Sequence, residues 1–291
     1  MTQEQSHDQA KARIPVFYRP EMNSVVSEPS ISKSSEKPGR FVEFAKKMSP
    51  TQFEVVDFDP VERSDITIAH YGDYVDGVLA CELPNGFMTF DKSVADSLPY
   101  TVGSMVAATF HALDKGGIAC SPSSGFHHAG VDFGGGFCTF NGLMVAAYLA
   151  RAEGAKVGIL DCDAHYGNGT QNILDEFGVS GGIVHRTMGK HFPCGKHAGE
   201  FIQWLLRAVD DMKDCEVVIY QAGADPWRND PLGGQLSLYE LALRDDIVFG
   251  GLKNVAWNLA GGYCAMTRDI HNTTFLAAYR KTNREAGHNL S

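Results

Sequence analysis

Several features that would place a sequence quickly are missing here. The seven cysteines, at 81, 120, 138, 162, 194, 215 and 264, include no Cys-x-x-Cys pair, so neither a zinc ribbon nor a thioredoxin-type site is indicated. Cys162 and Cys215 lie in apolar runs, where free thiols are usually buried. No apolar run approaches the roughly 18 residues of a membrane span. The opening residues, MTQEQSHDQAKAR, are polar and lack the apolar core of a secretory leader. Positive charge is also scarce: Lys+Arg 25 against Asp+Glu 35 leaves a net charge of −10. A general nucleic-acid binder needs a basic face to replace phosphate counterions. These absences lead us to expect a soluble protein of the reducing cytoplasm, with neither nucleic acid nor membrane as partner.

The 291 residues are 44% hydrophobic and include 31 glycines, enough for a sizeable core. Residues 1–12 read as a disordered tail and 13–291 as a single domain. Residues 27–39, SEPSISKSSEKPG, read as a long loop near the entrance of a site. Helical spacing marks 40–48, with Phe41, Phe44, Ala45 and Met48, and 198–210, with Phe201, Leu205, Ala208 and Val209. Residues 140–152 are apolar almost all round, as in a buried helix. Short apolar runs at 117–120, 157–160, 182–184, 217–220 and 255–259 read as strands. None alternates cleanly with polar residues. Apolar strands separated by helices predict an α/β protein, a three-layer α/β/α domain with a mostly parallel central sheet.

Parallel sheets place ligand sites at the carboxyl ends of their strands. Strand 157–160 runs into Asp161-Cys162-Asp163-Ala164-His165, and strand 217–220 into Gln221-Ala222-Gly223-Ala224-Asp225. Strand 255–259 leads to Gly261-Gly262-Tyr263, and the run at 117–120 to Gly125-Phe126-His127-His128. In extended chain, residues two apart point the same way, so Asp163 and His165 can reach one cation. Asp225 could add a second carboxylate. Three protein ligands leave a position for water, as a catalytic zinc site requires. His127 and His128 suit proton transfer beside such a water. The Tyr263 hydroxyl suits an oxyanion. Gly136 and Gly262 fall in glycine clusters where backbone turns tightly around a ligand. Taken singly, an Asp-x-His is more often a loop ion pair and a His-His pair a packing coincidence; their convergence on strand ends reverses that weighting.

These segments carry a resemblance. GFHHAG (125–130), GGGFCTFNG (134–142), DCDAHYGNGTQ (161–171), QAGADPWRNDPLGG (221–234) and LAGGY (259–263) resemble the histone deacetylase-like, zinc-dependent amidohydrolases, a group that includes acetylpolyamine amidohydrolases. HYGDYVDGVLA (70–80) looks like the family's early helix. The resemblance implies an arginase/deacetylase-like fold and hydrolysis of acylated amines, either acetylpolyamine or acetyl-lysine in type. It implies Asp163, His165 and Asp225 as zinc ligands, with Fe2+ or Co2+ as alternatives. Asp161 would orient His127, and Asn168 would orient His128. Tyr263 would be the oxyanion tyrosine, and Phe137 and Phe192 the walls of a narrow tunnel. A structural K+ would bind near Asp161, Asp163 and His165, with strand 182–186 completing its shell. A homodimer touching 27–39 is also implied.

Two positions depart from the family pattern. Phe126 stands between Gly125 and the histidine pair, and Tyr166 follows His165 where a second histidine is usual. Glu28, Glu36 and Glu82 are candidate selectivity acids at the mouth. Two other readings compete. An arginase-like ureohydrolase would need further acids for a second metal, but Gly167 and Trp227 stand where these are expected. A non-catalytic acyl-amine-binding module would not require the intact set of ligands, histidines and tyrosine.

Overall fold

A computed structural model describes the protein over residues 11–30, 32–178, 181–192 and 198–285. Residues 1–10 of the expected tail at 1–12, and Cys194, lie outside those residues. Seven strands form one sheet: β1 (Ile14–Phe17), β2 (Phe53–Val56), β3 (Ile118–Ser121), β4 (Val157–Asp161), β5 (Ile183–Thr187), β6 (Val217–Gly223) and β7 (Val255–Ala260). Their order is β2-β1-β3-β7-β6-β4-β5. Every pairing is parallel, so the sheet is wholly rather than mostly parallel. All carboxyl ends therefore share one edge. Ten α-helices connect the strands in chain order among the described residues: α1 (Lys37–Met48), α2 (Arg63–Ile66), α3 (Gly72–Leu79), α4 (Lys92–Lys115), α5 (Gly142–Ala152), α6 (Asn168–Phe177), α7 (Met188–His191), α8 (Ala198–Asp211), α9 (Leu238–Gly251) and α10 (Thr267–Glu285).

The central strands are buried on both faces, which explains their unbroken apolar runs. Successive side chains point to opposite sides. Leu160, Val218, Tyr220, Val255 and Trp257 join a core with α1, α8, α9 and α10. Val157, Ile159, Val217, Ile219 and Ala256 join a second core with α3, α4, α5 and α6. Two cores on one sheet make the three layers.

The expected loop at 27–39 is shorter than its composition suggests. Lys37, Pro38 and Gly39 already belong to α1, because proline is tolerated in a first helical turn, where its missing N–H costs nothing. Cys215 is half-buried rather than buried, whereas Cys162 is buried as expected. Three elements carry little sequence signal. β1 is only four residues long, and β2 pairs with it at the sheet edge, with only Phe53 fully buried. In α4, Pro99 interrupts the pattern, and much of the buried face is small or polar: Ser97, Gly103, Ser104, Ala108 and Thr109.

Candidate metal centre

Asp163, His165 and Asp225 come together just beyond β4 and β6. One potential ligand atom from each lies within 4.8 Å of the others. His165 Nδ1 stands 3.0 Å from Asp163 Oδ1 and 2.8 Å from Asp225 Oδ2. Asp225 Oδ2 is buried yet receives no hydrogen bond. The two carboxylates are buried, but the His165 side chain is 34% exposed, which leaves the cluster open on one side. An orphaned carboxylate oxygen facing an imidazole and a second carboxylate is a fitting cradle for a divalent cation. Among the described residues, this is the one group of three or more His, Cys, Asp or Glu side chains that could hold an ion. A two-metal ureohydrolase would need a second such group.

Burial alone would raise both carboxyls. In Asp163 the charge on His127 and the hydrogen bond from His165 outweigh it and hold the group low. Asp225 goes up instead, through burial and the charge of Asp163. The two adjacent carboxylates raise His165 to about 11.

The two neighbouring imidazoles differ in their partners. The buried Nδ1–H of His127 donates to Asp161 Oδ2 at 2.7 Å, whereas the Nδ1–H of His128 donates to Asn168 Oδ1 at 2.6 Å. Their ring centroids are 4.1 Å apart. Burial lowers His127, but the charges of Asp161 and Asp163 prevail and raise it to about 9. Burial, then the charge on His127, takes His128 down to about 4. Two titratable groups pushed apart in this way suit acid and base roles. Asn168 opens α6, so its place follows from the helix start.

Tyr263 follows β7. Its ring centroid lies 6.4 Å from that of His165 and 5.9 Å from that of Phe137. Burial and the charges of Asp163 and Asp225 push its hydroxyl well above the usual range, keeping it a proton donor. Gly136, with φ +53°, lies under the His128 ring. Gly262 shares with Tyr263 a cavity of about 690 Å³ that also meets Lys37, Arg40, Arg268 and His271. None of the three candidate ligands lines that cavity. Phe192 packs against Phe201 and Trp204, with ring centroids 6.0 and 5.9 Å away. Phe137 also meets the ring of Phe87, at 5.7 Å.

Four further residues shape the site without having stood out in the sequence. Gln221, on β6, donates from Nε2 to Asp161 Oδ1 at 3.2 Å and accepts the N–H of Phe126 at 3.1 Å. It therefore steadies both halves of the His127–Asp161 pair. His70 donates from Nδ1 to the Gly130 carbonyl at 2.7 Å and accepts the Asn141 N–H at 2.8 Å, closing the segment behind the histidines. Asp230 Oδ2 accepts the N–H of Tyr263. Lys37 donates to the Gly261 carbonyl from full burial. Only the position of Gln221 at a strand end could have singled it out; the others depend on contacts between distant parts of the chain.

The Histone deacetylase domain family matches residues 34–204 of this chain. The chain belongs to the histone deacetylase family. Among curated relatives, this family member is 32% identical over 159 residues to the acetylpolyamine amidohydrolase of Mycoplana ramosa, covering 45% of each chain. It is 48% identical over 140 residues to the acetylpolyamine amidohydrolase of Burkholderia pseudomallei, covering 38% of this chain and 40% of that one. It is 30% identical over 213 residues to histone deacetylase 15 of Arabidopsis thaliana, covering 60% of this chain and 38% of that one. The match thus spans less than half the length of each of these relatives. Among solved structures, a histone deacetylase homologue from Aquifex aeolicus superposes with a TM-score of 0.75 at 19% identity, over 97% of this chain and 86% of that one. The acetylpolyamine aminohydrolase from Burkholderia pseudomallei superposes with a TM-score of 0.70 at 18% identity, over 91% of this chain and 98% of that one. These likenesses establish the fold as that of the deacetylases.

Proposed function

We propose that this family member hydrolyses acylated amines, with small cationic amines as the preferred substrates. The observation that carries the reading is the meeting, at one sheet edge, of Asp163, His165 and Asp225 with His127, His128 and Tyr263. Asp163, His165 and Asp225 would hold one divalent ion, Zn2+ by their donor set, with Fe2+ or Co2+ as alternatives. When bound, such an ion polarises an acyl carbonyl and lowers the pKa of water. A structural K+ would draw on Asp161, Asp163 and His165 near the end of β5, where Thr187 Oγ1 lies 3.4 Å from Asp161 Oδ2.

The chain's own groups divide the remaining work. Asn168 Oδ1 can only accept, so His128 carries its hydrogen on Nδ1 and keeps Nε2 free to take a proton from water. Asp161 supports a cationic His127 beside it. The pair then returns a proton to the leaving amine. Tyr263 donates to the oxyanion of the tetrahedral intermediate. Phe137, with Phe87 beside it, offers an apolar wall to a methylene chain. The net charge of −10 favours cationic substrates by long-range attraction. The likeness to two acetylpolyamine amidohydrolases supports the same class.

A side-by-side assay of acetylputrescine, acetylspermidine and an acetyl-lysine peptide, with released acetate as the readout, tests the reading. The expected order places the acetylpolyamines first. Release of no carboxylate from any acylated amine by the metal-loaded protein would overturn the proposal.

A further inference from the structure

One large buried side chain near the centre is left without a role by the reading above. Arg244, on α9, is fully buried. Its Nη1 donates to the carbonyls of Gly223, at 2.5 Å, and Cys162, at 3.3 Å. Its Nε donates to Asp245 Oδ1 at 3.0 Å. Asp245 also accepts the hydroxyls of Tyr220 and Thr274, each at 2.6 Å. Nη2 has no acceptor. The guanidinium is therefore anchored on one side by a saturated carboxylate and turned on the other towards backbone.

That backbone is where the sheet stops. The β4–β6 register runs from Val157 opposite Val217 to Asp161 opposite Gln221. One more bond follows, from the Cys162 N–H to the Gln221 carbonyl. Past it, the two strands carry their candidate ligands, Asp163 directly after Cys162 and Asp225 two places after Gly223. The chains stay very close there. A Cβ on Gly223 would come within 2.6 Å of the Asp163 Cα. Two buried carboxylates repel, so the strands that bear them tend to part unless something joins them.

We propose that Arg244 is a positioning residue for the metal centre. By bonding to Cys162 and Gly223 it continues the β4–β6 pairing past the last backbone bond and sets the separation of Asp163 from Asp225. Stability does not by itself explain a buried arginine and aspartate, because a well-packed apolar replacement of such a pair is often neutral or better. The guanidinium bonds both carbonyls from Nη1 while Nε stays tied to Asp245, a division between separate nitrogens that lysine's single ammonium cannot reproduce. The inference rests on the metal reading above, but its test does not depend on turnover.

The probe is Co2+ alone, added to metal-free wild type, Arg244→Met and Arg244→Lys. Affinity is measured by competition with a chelator, geometry by the visible absorption of bound Co2+, and fold by circular dichroism and melting of the metal-free proteins. Arg244→Met is expected to fold, to bind Co2+ about 10–100-fold more weakly, as changes behind a metal's ligands typically do, and to show an altered spectrum. Arg244→Lys is expected to fall between it and wild type. A folded Arg244→Met protein with wild-type affinity and spectrum overturns the proposal, whatever its melting point. If Arg244→Met does not fold, Arg244→Lys decides: reduced affinity with a shifted spectrum supports the role, and wild-type behaviour overturns it. Failure of the wild type to bind Co2+ would instead sink the metal reading itself.

Discussion

Asp230 holds Tyr263 by its backbone: the Tyr263 N–H donates to Asp230 Oδ2 at 2.8 Å, while Asp230 Oδ1 accepts the Leu232 N–H at 3.0 Å. Both carboxylate oxygens are thus used to fix where the tyrosine leaves β7. Removing the tyrosine hydroxyl in Tyr263→Phe should lower turnover by about 10²–10³-fold, as for loss of one oxyanion donor. Asp230→Asn keeps the shape but gives up one acceptor. It should lower kcat by roughly 10-fold with KM little changed, since a small misplacement of a catalytic group suffices. Steady-state kinetics on an acetylpolyamine would check both, and full activity of Tyr263→Phe would remove the tyrosine from the mechanism.

Gly136 supports the outer histidine. Its φ of +53° disfavours side chains, and a Cβ there would lie 2.4 Å from His128 Cδ2. Gly136→Ala should therefore displace His128 and reduce turnover by about 10²-fold. Metal content should not change, because the three atoms nearest such a Cβ all belong to His128. Paired measurements of kcat and bound metal distinguish this from general damage.

Metal removal should destabilise the protein. Without an ion, Asp163 and Asp225 are buried together, and one is pushed towards its neutral form. Binding to the native state alone adds about 4 kcal/mol at a free-ion concentration of 1,000 Kd, or about 10 °C in a domain of this size. Thermal melts after treatment with a chelator, and after restoring Zn2+, measure it. Identical melting points would count against the centre.

Stability should also fall on mild acidification. Burial lowers His70 to about 4, below the ordinary histidine value of about 6.5. The unfolded chain therefore binds this proton more readily than the folded one. The stabilisation is complete above about pH 6.5 and is lost as the pH falls towards 4, a change on the order of 3 kcal/mol for this one residue. Unfolding by urea at pH 7.5 and 5.0 should show a smaller drop in His70→Gln than in wild type. Equal drops would place the pH dependence elsewhere.

Much of this architecture is legible in the sequence where local pattern and tertiary demand agree. The apolar runs of β4, β6 and β7 are buried on both faces and end in chemistry-bearing residues, so strand and site announce each other. α8 reads clearly because Phe201, Leu205 and Ala208 line one face. Where other physics prevails, the pattern fades. β2 leans on β1 at an edge and needs little apolar surface. α4 packs through serine, glycine and alanine, and Ser104 bonds to the Phe17 carbonyl from 87 positions away. Gln221, His70 and Asp230 act through partners distant in the chain, so no spacing marks them.

The order of the strands bears on how the protein is made. Asp163 and His165 leave the ribosome with the end of β4, but Asp225 follows about sixty positions later, after β5, α7, α8 and β6. β6 then pairs with β4, and β7, synthesised last, inserts between β3 and β6. A nascent chain that has reached residue 211 offers an ion one carboxylate and one imidazole, with no third ligand. On the proposed ligand set, lasting metal capture would be a late event in biosynthesis, and retained metal would distinguish chains that have placed β6 from those interrupted before it.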